Sequence, residues 1–306
     1  MKRRILVMGS SNVDLVLRVS RFPLPGETIT GENLVTAFGG KGANQAIAAR
    51  RLGGEVTFLT KLGADAFGES YRKYLTDTSL PPRFLLRDKK LPSGVAAIEL
   101  IPGGENRIIV SPGANGSLSV KDLQNHQDAW KGAGVFVVQL EIPLMTVKQG
   151  LLLARKKGCL TILNPAPAVP LPPEILSRVD FLVPNEWEAQ SLAGVKIRGK
   201  KDLPQIAQKL LNRGVQNVVI TLGAQGLFFK NRDEEVWMGA FRVKAVDTTA
   251  AGDAFLGALA CGLAARKPTR EALKMANAAG GLAATRLGAQ PSLPHRRELE
   301  KFLEKN

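Results

Sequence analysis

The chain is poor in the side chains that most often build metal and nucleophilic centres: its 306 residues include two cysteines and two histidines. Cys159 and Cys261 have no metal-type spacing, and His126 and His295 lie far apart and away from both cysteines. This argues against a zinc site and against a histidine-centred nucleophilic triad. So few cysteines in a long chain fit a reducing, cytoplasmic setting better than a disulfide-stapled secreted domain. No stretch approaches the ~20 apolar residues of a membrane span, so no membrane role is expected. The first apolar run, residues 5–8, is far shorter than the ~7–15 residues of a secretory signal, and a first β-strand explains it better. With two Tyr and three Trp, stacking platforms for single-stranded nucleic acid are scarce.

Negative charge is also in short supply. Forty-two Lys and Arg face 27 Asp and Glu, a net charge of +15. The basic residues are scattered in pairs such as Arg50-Arg51, Lys156-Lys157 and Lys200-Lys201, with no long basic block. The charge reads as a solvated surface that also favours small anionic ligands, and no nucleic-acid partner is expected.

Hydrophobic residues make up 44% of the chain, enough for a sizeable core. Short apolar runs at 5–8, 56–60, 135–140, 160–163, 181–183 and 218–221 read as strands. Helical patterns lie between or beside them at 43–52, 67–76, 144–157, 186–192 and 203–213. This alternation predicts an α/β fold, a mostly parallel sheet with helices on both faces. The last third is more helical, with segments near 251–266, 270–286 and 296–304, after a generic strand-like stretch at 237–246. Residues 15–19, 28–37, 94–100 and 107–110 read as strands without intervening helices. They predict a small separate sheet, and the flanking glycines and prolines suit a mobile lid.

Two motifs carry chemistry. Asp247-Thr248-Thr249-Ala250-Ala251-Gly252-Asp253 precedes a small apolar helical run. The free backbone N–H groups of a helix start, helped by its dipole, form an anion cradle. A carboxylate in the same turn suits phosphoryl transfer to a hydroxyl, with Asp253 accepting the proton. At a helix N-terminus Asp253 is expected to stay ionised and weakly basic. The bland alternative is helix capping by aspartate. The second motif, Phe38-Gly39-Gly40-Lys41-Gly42-Ala43-Asn44-Gln45, is a glycine-rich turn opening an Ala-rich helix. Its glycines would let a ligand lie against bare backbone, and Lys41, Asn44 and Gln45 offer groups a sugar could bond. It is not a Walker A loop, since Gly42 follows Lys41, and not a dinucleotide fingerprint, since Gln45 stands at the third glycine position.

Together these segments resemble the ribokinase (PfkB) family of carbohydrate kinases. Further ordered matches are Gly9-Ser10-Ser11-Asn12-Val13-Asp14, Phe22–Thr28, Pro112-Gly113-Ala114-Asn115, Gln139-Leu140-Glu141, Asn164–Ala168, Pro184–Ala189, Thr221–Gly226 and Thr285–Ser292. The resemblance implies a doubly wound, Rossmann-like three-layer domain (1–14, 38–93 and 112–306) with a β-sheet lid (15–37 and 94–111) that often builds a homodimer interface. It implies ATP-dependent phosphorylation of D-ribose at its 5-hydroxyl, with Asp253 as base and the 250–253 turn as anion hole. Asn12, Asp14, Gly40, Lys41, Gly42, Asn44 and Glu141, with Asp253, would contact the sugar. Asn185, Thr221, Gly223, Ala224, Gly226, Ala250, Ala251, Gly252 and Asn277 would line the nucleotide.

Glu188 would serve Mg²⁺, through water. Asp247, Thr249, Ala283, Arg286, Gly288 and Ser292 match the family's monovalent-cation loop, where backbone carbonyls would suit an activating K⁺. Two positions depart from the family pattern: Ala254 replaces a common Thr, and Asn277 stands where His is often found. The alternatives are a fructokinase-like or adenosine kinase-like enzyme for another small sugar or nucleoside, or a binder that kept the fold without catalysis.

Overall fold

A computed structural model of the chain describes residues 3–103 and 105–306. Met1 and Lys2 of the basic head, and Gly104 of the expected 94–111 lid hairpin, lie outside the described residues.

The first third comprises β1 (Arg4–Met8), β2 (Asn12–Arg18), β3 (Asn33–Gly39), α1 (Lys41–Arg51), β4 (Val56–Gly63), α2 (Ala66–Asp77), β5 (Leu85–Asp88), β6 (Gly94–Leu100) and β7 (Asn106–Ser111). Then come α3 (Val120–Asn125), β8 (Ala133–Val138), α4 (Leu144–Lys156), β9 (Leu160–Leu163), α5 (Pro173–Leu176), β10 (Phe181–Leu182), α6 (Glu186–Ala193), α7 (Leu203–Asn212) and β11 (Asn217–Thr221). The remainder is β12 (Leu227–Lys230), β13 (Glu235–Met238), α8 (Ala251–Ala264), α9 (Thr269–Ala283) and α10 (Arg296–Lys305).

Nine strands form one sheet in the order β13-β12-β11-β10-β9-β8-β1-β4-β5. From β11 to β5 every pairing is parallel, and β12 and β13 add an antiparallel edge. Side chains of a strand alternate between faces, and β1 shows the result. Ile5 and Val7 enter the core beneath α1, α2, α8 and α9, while Leu6 and Met8 enter the opposite core with α4, α6 and α7. The chain leaves β1 toward β4 on one side and later returns to β8 on the other. The strand order therefore reverses between β1 and β8, and the crevice beyond their carboxyl ends is the place where an open parallel sheet binds ligands.

The four-stranded second sheet has the order β3-β2-β6-β7. Its central pair, β2 and β6, is parallel, and the outer pairs are antiparallel. Its first strand begins at Asn12, so Asn12 and Asp14 belong to this sheet rather than to an extension of β1. The third strand-like stretch is shorter than the expected 28–37, since pairing with β2 starts only at Asn33. Exposed apolar side chains stand on both faces of this sheet, Val35, Ile108 and Val110 on one and Leu34 and Ile109 on the other.

Three elements differ from the sequence reading. β5 is an added edge strand. Thr221–Gly226 leads into a β12–β13 hairpin in which Phe228 packs on Trp237. The expected 237–246 strand ends at Met238, because β13 pairs only with β12 and only through that residue.

Candidate active site

Close helix packing builds the centre of the site. A Cβ on Gly257 of α8 would lie 2.5 Å from Ala48 Cβ and 2.8 Å from the Ala49 nitrogen of α1. The helices can approach so nearly because these residues are small. One turn toward the N-terminus of each helix stand Asp253 on α8 and Asn44 and Gln45 on α1. At this spacing short amide side chains reach the carboxylate. Asn44 Nδ2 donates to Asp253 Oδ2 and Gln45 Nε2 to Asp253 Oδ1, both at 2.9 Å. Asp253 is 8% exposed. It caps nothing, since α8 has no side-chain cap, so the helix-capping alternative does not describe it.

The start of α8 leaves donors free. Ala250, in the left-handed region at φ 59°, turns the chain into the helix. The Ala251 amide is committed to Thr248 O (3.1 Å), and the first helical bond runs from Ala254 N to Ala250 O (2.8 Å). The Gly252 and Asp253 amides lie between them, without intrahelical acceptors. Gly252 is exposed, and a Cβ there would meet nothing within 4 Å.

Across from Asp253 the β1 and β8 ends supply polar groups. Glu141 accepts from Ser10 Oγ and, at 3.2 Å, from the Lys41 amide. The Gly42 amide donates to Ser10 Oγ at 3.4 Å. Asn12 Oδ1 accepts from Asn115 Nδ2 at 2.7 Å, and Asn115 also bonds both backbone groups of Ser11. Gly40, at φ 89°, packs against the backbone of Ser11 and Asn12, where any Cβ would lie 2.6 Å from Asn12 N. Packing therefore requires glycine at these positions, since an added Cβ would fall on the β1–β2 connection.

Charge is concentrated here. Burial pushes the Asp14 carboxyl up to about 7, with the Glu141 and Asp253 charges adding to the shift. Burial also raises Asp253, against the opposing pull of Lys41, Asn44 and Gln45. The helix start does not set that balance alone, and the expected low basicity is corrected upward. For Lys41, burial disfavours the ammonium, but Asp253, Glu141 and Glu188 outweigh it and the pKa rises.

Beyond this cluster, Asn185 caps α6 and Glu188 completes a capping box. Both Glu188 oxygens accept from Asn185, at 2.9 Å and 3.1 Å, and the side chain is buried rather than on the surface. Burial raises its pKa. Thr221 bridges to Asn185 in parallel fashion, and the exposed Gly223 and Ala224 follow it. Gly226 is needed for packing, since its Cβ would fall on the backbone of residues 238–240. Asn277 on α9 donates to Gly239 O at 2.7 Å.

The two segments expected to form a cation loop do meet. Val246 and Asp247 donate to Ala284 O, and the Gly288 amide donates to Asp247 Oδ2 at 2.8 Å. Asp247 Oδ1 takes both Thr249 donors. These bonds hold Asp247 below the usual carboxylate range, despite burial acting the other way. Ser292 is buried with its hydroxyl on Ala289 O, and Arg286 is paired with Glu298. Glu188 accepts one bond on each oxygen from Asn185, and its remaining lone pairs suit a magnesium ion held through water. Among the described residues no group of three or more His, Cys, Asp or Glu forms a metal cluster.

Sequence reasoning singled out Gln45 only as a group a sugar could bond and gave no individual role to Gln139, Asn164, Ser10 and Asn115. The available signal was an uncharged polar residue inside an apolar run, which folding buries and must therefore pair.

The pfkB family carbohydrate kinase model matches residues 2–296. The chain belongs to this family. The ribokinase of Haemophilus influenzae is 37% identical over 304 residues, covering 99% of each chain. A deoxyribokinase of Salmonella typhi is 35% identical, again over 99% of each. Among solved structures, Arabidopsis thaliana ribokinase complexed with ribose and ATP superposes with a TM-score of 0.92, at 32% identity and 99% coverage of each chain.

Proposed function

We propose that the protein transfers the γ-phosphoryl group of ATP to the 5-hydroxyl of D-ribose, with Asp253 as general base. The observation that carries this reading is one buried carboxylate in the same helix turn as the free Gly252 and Asp253 amides, facing the Asn12–Asp14–Lys41–Glu141 cluster. The full-length similarity to ribokinases supports it, including one solved with ribose and ATP.

Asn12, Asp14, Gly40, Lys41, Gly42, Asn44 and Glu141 hold the sugar. Its 5-oxygen bonds to the γ-phosphorus as the bond from that phosphorus to ADP breaks, and the hydroxyl proton passes to Asp253. In a loose transition state the hydroxyl proton becomes acidic late, so a carboxylate is base enough. The 250–253 turn stabilises charge on the transferring group. Asn185, Thr221, Gly223, Ala224, Gly226 and Asn277 line the nucleotide.

Magnesium, when bound, neutralises phosphate charge, with Glu188 orienting its water. The carbonyls of Thr249, Ala283, Arg286, Gly288 and Ser292, with Asp247, would hold a K⁺ whose charge would help order the anion-hole turn. The small sheet (15–37 and 94–111) acts as lid, and its exposed apolar side chains, Leu34, Val35, Ile108 and Ile109 among them, build the homodimer interface. Cys159 and Cys261, both buried and neither in a disulfide among the described residues, fit a cytoplasmic protein.

The test is ADP release with ATP and Mg²⁺ on ribose, 2-deoxyribose, fructose, adenosine or no sugar, in K⁺ or Na⁺. The reading expects ribose-dependent turnover, faster in K⁺. Preference for 2-deoxyribose or adenosine would keep the chemistry and correct the substrate. Equal rates in K⁺ and Na⁺ would remove the role given to the cation loop.

A further inference from the structure

A string of buried amides runs from the sheet to Asp253, and its direction is fixed at one end. Asn164 Nδ2 donates to the Val183 carbonyl at 3.1 Å. Only an N–H can face that oxygen, so Asn164 must turn Oδ1 toward Gln45. Gln45 Nε2 meets Asn164 Oδ1 at 3.3 Å and Asp253 Oδ1 at 2.9 Å. A flipped Gln45 would set its oxygen against two others. Gln45 Oε1 therefore points to Gln139, whose Nε2 donates to it. Gln45 and Gln139 are 1% and 0% exposed, so water does not substitute for either. The backbone leaves no slack: a Cβ on Gly9 would collide with the Gln139 amide.

We propose that Gln45, its amide orientation locked by Asn164 and Gln139, is a positioning residue that aims the Asp253 carboxylate and holds it ionised. Neither glutamine is among the groups assigned to the sugar, nucleotide or cations, and the inference rests on the reading of Asp253 as base. A donor on the charged form of a buried acid favours that form. Burial works against it, and so do Glu141, Asp14 and Glu188. Lys41 and the Asn44 amide work with Gln45. The Tyr71 phenol, buried and raised well above its usual range, is neutral throughout the working pH.

The sign follows directly. Without the Gln45 donor the Asp253 pKa rises, and the acid limb of the turnover profile moves to higher pH. For Gln45→Met the expected movement is about one pH unit. Turnover falls about tenfold below the limb and recovers toward wild type above it. Ribose affinity by calorimetry at pH 8 stays within about twofold of wild type. Gln139→Met, which frees Gln45 to rotate, moves the limb the same way by a smaller amount. It also decides the matter should Gln45→Met not fold.

Asp253→Asn is measured alongside. If that variant turns over near normally, the reading of Asp253 as base fails and takes this inference with it. If Asp253→Asn is inactive while the folded Gln variants keep the wild-type limb, only the positioning role of Gln45 is overturned.

Discussion

The two glycine-bearing turns that open α1 and α8 look alike in sequence and do opposite work. In the first, Gly40 and Gly42 are filled in by the protein itself: a Cβ on Gly42 would lie 2.6 Å from Gly9 C and Ser10 N. Backbone packs on backbone, and the reward is that Lys41, Asn44 and Gln45 are held against β1 and α8. In the second, Gly252 faces open space, and its turn carries amides that the protein leaves unbonded. One turn is packed shut as a joint and the other is left open. A glycine in a motif states only that a side chain is unwelcome; what excludes it is settled by the fold.

That contrast can be broken by substitution. Gly252→Val adds volume where the protein has none, so stability should stay within ~0.5 kcal/mol of wild type. If the turn stabilises the transferring phosphoryl group, turnover should fall by about 10²-fold or more. Steady-state kinetics paired with thermal unfolding read both; a variant as active as wild type would remove that role. Gly42→Ala should do the reverse and destabilise the fold by about 1–3 kcal/mol, the usual cost of overpacking. Urea unfolding measures it, and a wild-type midpoint would show that the joint tolerates a methyl group.

A third test concerns the charge that the joint brings together. Burial pushes the Asp14 carboxyl up to about 7 in the folded protein from an ordinary value of 3.8, so between those values the folded state binds the extra proton. Its contribution to stability is therefore fully present below about pH 4 and is lost as pH rises toward about 7. Asp14→Asn removes this dependence. It should be more stable than wild type at pH 8, by on the order of 2 kcal/mol, and indistinguishable near pH 4. Denaturant titrations at the two pH values check the sign, and a variant less stable at pH 8 would contradict it.

Much of the architecture was legible because apolar periodicity is a local signal. The runs at 5–8, 135–140 and 160–163 fall on β1, β8 and β9, and the 43–52 pattern on α1. Sheet membership is not local, so Asp14 was placed beyond β1 when it lies in β2. The edge strand β5 and the short β12 were passed over, and β13 was drawn too long at 237–246, because a strand of four residues leaves little periodicity to read. Within the site, the charged residues announced themselves by type. Gln45 was read only as a group a sugar could bond, and Gln139 and Asn164 were given no role, because an amide's importance lies in which partner it faces, and those partners come from elements about 90 to 210 residues apart in sequence.

The central claim is that Asp253 takes the sugar proton while the rest of the site holds the substrates. The most direct measurement compares wild type with Asp253→Asn, which keeps shape but cannot accept the proton as a carboxylate does. Turnover with saturating ribose and ATP is measured beside ribose binding by calorimetry. The account predicts a fall of about 10³-fold in turnover with ribose binding retained. Near-normal turnover in Asp253→Asn would contradict it.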